Sequence, residues 1–370
     1  MRAVFDTCVL FDDLPMTGLR SRTILDQCSR GGFEASIPEV VVGEMVNHAR
    51  ERIDGALARI GNGTASLGRL GLSAGTSPRP GAILAREFER RLRERLKAHR
   101  VEIPGYPAVD HATLVERSIA GRRPFRTSDR GYRDTLIWHN VLDAAANEEI
   151  ALVTSNTQDF ADASKTGVHP HLLDDTTQVR SKPVALFTSL DDFIAAHVPS
   201  SDQVLQQAQH LLESDSEFDE ALRSAVGDAL ADTTTWPYHS DVTVVDATEG
   251  ESMVGEESPD SMEVEELILL DAPELVRALE LDEDDLFVLE VDVRAEMRFH
   301  LVFGPAAGEW LVERGSNVDF YDQSESYWAG YSTGLVLGRL GVPFDRETAV
   351  LGEVELTELR DLPRDDPHRP

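Results

Sequence analysis

Ala3-Val4-Phe5-Asp6-Thr7-Cys8-Val9-Leu10 is a short apolar run at the chain start, interrupted by one carboxylate. A run of this length and composition reads as a buried strand. Asp6 is expensive inside it, because an isolated carboxylate loses its hydration on burial unless another group pairs with it. Residues 33–37 and 184–187 are two further short strands, and 150–154 is a continuous apolar strand closed by Ser155-Asn156-Thr157-Gln158-Asp159-Phe160. Between them lie helices at 20–30, at 39–60 behind Pro38, and at 190–197. A proline there fits a helix start, where its missing N–H costs nothing. Strands alternating with helices predict a parallel sheet covered on both faces, an α/β domain spanning residues 1–199.

Residues 61–81, rich in Gly, Ser, Thr and Pro, read as a loop, 83–99 as a basic helix and 113–120 as a short helix. The stretch 122–131, with Pro124, Gly131 and several arginines, is an exposed loop. Ile137, Val141, Leu142 and Ala145 then recur at helical spacing over 132–147, with Asp134 in the first turn. Residues 200–239 are expected to be a helical linker, with Leu205, Ala208 and Leu211 on one helix and Leu222, Val226 and Leu230 on the next. Alternation at Val242 and Val244, at Phe287, Leu289, Val291 and Val293, and over 297–303 and 350–356 predicts antiparallel strands. These make a small acidic α+β domain over 240–360, followed by a disordered tail at 361–370.

The chain has 370 residues and a formal net charge of −32. Residues 1–200 hold 25 Lys and Arg against 26 Asp and Glu, so almost the whole excess falls in the remainder, with 10 basic and 41 acidic residues. Two cysteines, Cys8 and Cys28, are too few for a disulfide framework or a cysteine-rich zinc site. His48, His99, His139, His169 and His171 follow no ligand spacing, and His169 and His171, which flank Pro170, read as a surface turn. With no apolar run near the length of a membrane helix, and a start that reads as mature sequence, the expectation is a cytoplasmic protein without membrane contact.

Four acids stand where acids are unusual: Asp6 in an apolar strand, Glu44 on a helix face, Asp134 at a helix start and Asp159 just past a strand end. Each of the last two alone is explained by a helix N-terminus. Ligands of open parallel sheets gather beyond the carboxyl ends of the strands, however, and Asp6 and the 156–159 turn both lie there. An oxygen-rich cluster of this kind suits Mg²⁺ or Mn²⁺. The arginines form two groups. Those from Arg86 to Arg100 alternate with Glu87, Glu89 and Glu94, as on a solvated helix face. Arg117, Arg122, Arg123, Arg126, Arg130 and Arg133 stand next to the acidic motifs and are expected to contact a polyanion.

The order of four stretches resembles the PIN-domain ribonucleases: Val4-Phe5-Asp6-Thr7; Ile37-Pro38-Glu39-Val40-Val41-Val42-Gly43-Glu44; Gly131-Tyr132-Arg133-Asp134-Thr135-Leu136-Ile137-Trp138; and Leu152-Val153-Thr154-Ser155-Asn156-Thr157-Gln158-Asp159-Phe160. The resemblance covers residues 1–197 and is to a longer PIN subgroup with an Arg122-Arg123-Pro124-Phe125 loop ahead of the third acid. It implies a Rossmann-like three-layer α/β/α sandwich and metal-dependent endonucleolytic hydrolysis of RNA, toxin-like in type. Asp6, Glu44 and Asp134 correspond to metal-binding acids, and the fourth position falls on Asn156 or Asp159. Arg122, Arg123, Arg126 and Arg133 are the candidates for holding the phosphate backbone, with a salt bridge to the acids as the alternative for Arg133. A non-catalytic RNA-binding or scaffold protein on the same fold is the competing reading. An inhibitor or partner protein and self-association stay open. An aspartyl-phosphate phosphatase is disfavoured, because Asp6-Thr7-Cys8 lacks a second aspartate two residues on. For the acidic half, solvation is the first reading, ahead of a partner platform or an internal polyanion that competes for the arginines.

Overall fold

The apolar residues of the first strand leave nothing polar to face water. Ala3, Val4 and Phe5 are essentially fully buried, as are all four residues of the strand at 150–153. Strands apolar on both sides pack between two helical layers. The structure, a computed structural model, describes residues 1–70, 79–126, 130–232, 261–281, 286–305, 308–309, 318–324 and 326–361. It divides into two compact units, Met1–Val198 and Pro199–Pro370.

The first unit contains β1 (Arg2–Phe5), α1 (Thr7–Leu10), α2 (Leu19–Arg30), β2 (Glu34–Ser36), α3 (Glu39–Arg69), α4 (Gly81–Ala98), α5 (His111–Ile119), α6 (Tyr132–Ala145), β3 (Ile150–Val153), α7 (Thr157–Phe160), α8 (Pro170–Val179), β4 (Val184–Phe187) and α9 (Leu190–His197). Its sheet is parallel throughout, in the order β2-β1-β3-β4, with Val4 opposite Ser36 and Leu152 and with Val153 opposite Phe187. Phe193 of α9 meets the rings of Phe5, Phe33 and Phe187 edge-on at 5.1–5.5 Å and seals one side of the sheet. Helices α2 and α9 pack together, while α6 packs against β3, α3 and α8. This is the expected PIN-like α/β architecture. Because β1 connects outward to β2 while β3 connects the other way to β4, the strand order reverses between β1 and β3. In open parallel sheets, ligands bind beyond the carboxyl ends of strands at such a reversal.

Four local expectations are corrected. The run 3–10 is not one strand: it breaks at Asp6, whose extended backbone caps α1 through the Thr7 N–H. The helix expected to stop at Ile60 runs on to Arg69, through the first part of the expected loop; residues 71–78 of that loop lie outside the described residues. His169 and His171 do not make a surface turn, for His169 is the N-cap of α8 and Pro170 its first residue, a position where its ring fits without loss of a hydrogen bond. The described part of the expected linker 200–239 is no linker, and residues 233–239 lie outside the described residues. Helices α10 (Asp202–Ser214) and α11 (Ser216–Ala231) place Val204, Ala208, Phe218, Leu222, Val226 and Leu230 in the core of the second unit.

That core is closed by a seven-stranded antiparallel sheet of β5 (Ser261–Leu269), β6 (Glu274–Glu280), β7 (Leu286–Phe303), β8 (Asp319–Gln323), β9 (Trp328–Asp345), β10 (Val350–Leu351) and β11 (Glu355–Asp361). Alternate residues of β7, from Leu289 to Phe303, enter the core in step with Val336, Leu340, Val342 and Phe344 of β9. The two strands expected over 287–293 and 297–303 are thus one. The second unit is α+β, as expected. Val242, Val244 and the tail from 362 lie outside the described residues.

Candidate active site

Asp6 leaves β1 at the strand-order reversal and Thr154 leaves β3 beside it. The Thr154 hydroxyl donates to Asp6 Oδ2 at 2.6 Å and accepts the Asn156 N–H at 3.1 Å. Asp6 Oδ2 also accepts from the Cys8 thiol at 3.2 Å, and Oδ1 accepts the Thr7 N–H at 2.7 Å. Burial pushes the Asp6 carboxyl up, against these hydrogen bonds and the charge of Arg133. Burial and the neighbouring Asp6 charge push the Cys8 thiol up to about 12, so it stays a protonated donor at neutral pH.

Helix α3 carries Glu44 to the same place. The Thr7 hydroxyl donates to Glu44 Oε2 at 2.6 Å, and Arg133 Nη1 pairs with Glu44 Oε1. Helix α6 carries Asp134 in its first turn. Gly131, at φ 102°, precedes that turn, and a side chain there would collide with the Pro124 carbonyl. Glycine therefore lets the arginine loop pass directly over the start of the helix. The Asn156 amide nitrogen bridges Asp134 Oδ1 and Asp159 Oδ2, each at 3.0 Å. Burial, then the charges of Asp6 and Asp159 and finally that of Glu44, push the Asp134 carboxyl up to about 6, with the Asn156 hydrogen bond opposing. Four acids from four separate segments therefore sense one another at a single carboxylate.

The arginines are placed unequally. Arg126 grips Asp159 with Nε and Nη2 and gives Nη1 to Gln158 Oε1 at 2.5 Å, so its whole fork is engaged. Arg123 reaches Asp159 Oδ1 with Nη1 alone, at 3.2 Å. Arg122 turns away from the acids to Asp175 Oδ1, at 2.8 and 3.2 Å, and to the His171 carbonyl. Asp175 is buried and also accepts from Arg117 at 2.7 Å and from the Trp138 indole at 3.0 Å. The arginine loop, α5, α6 and α8 are thereby tied at one point. On α4, Arg90, Arg91 and Arg93 pair with Glu94, Glu87 and Glu89 one turn away, as a solvated face should.

The donors fit a hard divalent cation in kind. They are carboxylate and amide oxygens, crowded enough to raise one of their own number, and they carry no imidazole ligand. Among the described residues, however, no three His, Cys, Asp or Glu side chains are grouped as a metal-binding set, and arginines pair with Glu44 and Asp159. Two cavities of about 480 Å³ open elsewhere, one lined by Arg2, Glu102 and Glu148 and the other by Met1, Phe33 and Arg100. Neither is lined by any of the four acids.

The hydroxyls of Thr7 and Thr154, and the anchor Asp175, were not anticipated as part of this site. Each threonine directly follows a strand end or the first acid, a placement too ordinary to single it out before its partner is known. Asp175 has no signal either, because its partners come from three distant segments. Among the described residues no helix is long and apolar enough to cross a membrane. No curated protein and no solved structure matches the chain. Residues 4–160, which hold all four acids, match the family model described as PIN domain, a family whose members are in general nucleases, typically using divalent metals and acting on RNA; the first unit of this chain is a PIN domain.

Proposed function

We propose that the PIN domain is a Mg²⁺- or Mn²⁺-dependent endoribonuclease, with Asp6, Glu44, Asp134 and Asp159 as its acids. The observation that carries the reading is the gathering of the four acids: Thr7 links Asp6 to Glu44 and Asn156 links Asp134 to Asp159, and burial with the charges of Asp6, Asp159 and Glu44 pushes the Asp134 carboxyl up. Crowding of like charges is costly in a fold unless a cation relieves it. Asp6, Glu44 and Asp134 are the residues that would hold the ion, with Asn156 or Asp159 completing the set. A divalent cation bound there supplies positive charge for a phosphoryl oxygen and lowers the pKa of a water used as nucleophile.

The chain's own residues do the rest. Thr154, Thr7 and Cys8 fix the orientation of Asp6, and Thr7 fixes Glu44, so the acids need little rearrangement on binding. Arg123 holds the phosphate backbone against the acids, since a guanidinium binds phosphate through paired N–H donors. Arg126 and Asn156 keep Asp159 in place.

Labelled single-stranded RNA incubated with the full chain and Mn²⁺ tests the reading. Cleavage should depend on the ion and fall by about a hundred- to a thousandfold in Asp6→Asn and in Asp134→Asn, the range lost when a central electrostatic group is removed. The pairing of Glu44 and Asp159 with arginines favours a second reading, in which the acids are a closed structural network and the domain binds RNA without cutting it. Binding without ion-dependent cleavage in the unmodified chain would select that reading.

A further inference from the structure

Two histidines border the acids through backbone links. His169 donates its N–H to the Phe160 carbonyl at 2.8 Å, which sets it directly behind Asp159. The His171 Nδ1 accepts the Arg123 N–H at 3.3 Å, and the His169 Nδ1 accepts the His171 N–H at 3.1 Å. A backbone N–H can only donate, so each Nδ1 must be unprotonated and each neutral ring carries its hydrogen on Nε2. The rings pack edge-on with centroids 4.8 Å apart. Burial, together with the neighbouring His171 and Arg123, holds His169 below the ordinary histidine range and therefore neutral at pH 7. Neither Nε2–H has a partner among the described residues.

Arg123 has capacity left as well. Its Nη1 is the one guanidinium nitrogen with a partner among the described residues, whereas all three nitrogens of Arg126 are engaged. Three residues linked through the backbone N–H groups of Arg123 and His171, at one edge of the acid cluster, thus offer unmet N–H donors and no unmet acceptor on the imidazoles. That set is complementary to an oxyanion with several acceptor oxygens.

We propose that His169, His171 and Arg123 together bind a phosphodiester of single-stranded RNA next along the strand from the one at the acids. The inference rests on the nuclease reading for the identity of the strand, but its test does not depend on cleavage. A fluorescein-labelled oligoribonucleotide is titrated with the full chain in EDTA, and anisotropy is followed from low to moderate salt. His169→Ala with His171→Ala should weaken binding about tenfold, equal to about 1.4 kcal/mol. His210→Ala on the second unit should leave it unchanged. Because each Nδ1 accepts a backbone N–H and only the Nε2–H is offered to the phosphate, the double variant should keep the parent's slope of log affinity against log salt, while Arg123→Gln should lower that slope by about 0.7.

Parent affinity in the double variant would overturn the proposal, and so would failure of the parent to bind the probe. A slope that falls as it does in Arg123→Gln would also overturn it, because the rings would then only be holding the arginine in place. Failure of the nuclease reading looks different: ion-dependent cleavage that persists in Asp6→Asn and Asp134→Asn leaves these binding results where they are.

Discussion

Ionising Asp134 costs the folded state, because burial and three neighbouring acids raise its carboxyl from 3.8 to about 6. Its contribution to stability is complete below pH 4 and is lost as pH rises through about 6, so above neutrality the ion-free domain carries a penalty of about 3 kcal/mol. Asp134→Asn should therefore raise the melting temperature at pH 7.5 in EDTA by several degrees and leave it unchanged at pH 3.5, as thermal melts at the two pH values would read. An equal gain at both would mean that packing, not charge, is responsible. Arg133 is two-thirds exposed, so its pairing with Glu44 contributes less than about 1 kcal/mol. Arg133→Ala should melt close to the parent yet bind Mn²⁺ severalfold more tightly in calorimetry, because it frees Glu44. Asp6 could be read from the sequence because a carboxylate in an apolar run demands an explanation. Thr7 and Thr154 could not, since a hydroxyl beyond a strand end is ordinary until its partner is known.

Asp175 shows how elements, rather than single residues, position the arginine loop. It joins α8 to α5, α6 and the loop at 122–126 through Arg117, Trp138 and Arg122. Arg117 and Asp175 are both less than a tenth exposed. Asp175→Asn leaves a buried guanidinium without its counter-charge and should cost about 3–5 kcal/mol in urea unfolding of the domain. Replacing both residues together, Arg117→Met with Asp175→Leu, should recover much of that loss; no recovery would mean that the pair is not the source of the cost. In the second unit, a methyl group on Gly330 of β9 would come within 2.9 Å of the Asp319 carbonyl and 2.7 Å of Val318. Gly330→Ala should destabilise that unit by about 1–3 kcal/mol, read as a shift in its own calorimetric transition. The same glycines explain why β9 was not seen in the sequence. Gly330, Gly334, Gly338 and Gly341 dilute the alternation that made its partner β7 visible. Strands β1 and β3 were visible because strands buried on both faces are apolar, and the edge strand β4, half-buried to exposed, is an apolar run as well. Helix α8 was hidden because His169-Pro170-His171 has the composition of a turn, although the proline fits equally well as a first helical residue.

The charge imbalance follows the division into two units, with the PIN domain near neutral and the excess acids beyond residue 200. The arginines around the site already have counter-charges within their own unit, in Asp159, Asp175 and Glu44. Residues 1–198, expressed alone, should fold cooperatively and bind RNA with the parent's salt slope; tighter binding after the truncation would show that the acidic unit competes for the arginines. The position of the acids beyond β1 and β3 is the part of this organisation that the sequence made legible, because strand ends could be located from apolar runs. The arginines' attachments were not legible, since nothing along the chain links Arg122 to Asp175 or Arg126 to Asp159.

The nuclease reading of the PIN domain depends on Asp6, Glu44, Asp134 and the Asn156–Asp159 turn sharing one cation. Crystals soaked in Mn²⁺ and measured for anomalous scattering test this most directly. The account predicts a peak bounded by the carboxylates of Asp6 and Asp134, with Arg133 withdrawn from Glu44. A map without such a peak, in which Arg133 still pairs with Glu44, would contradict it.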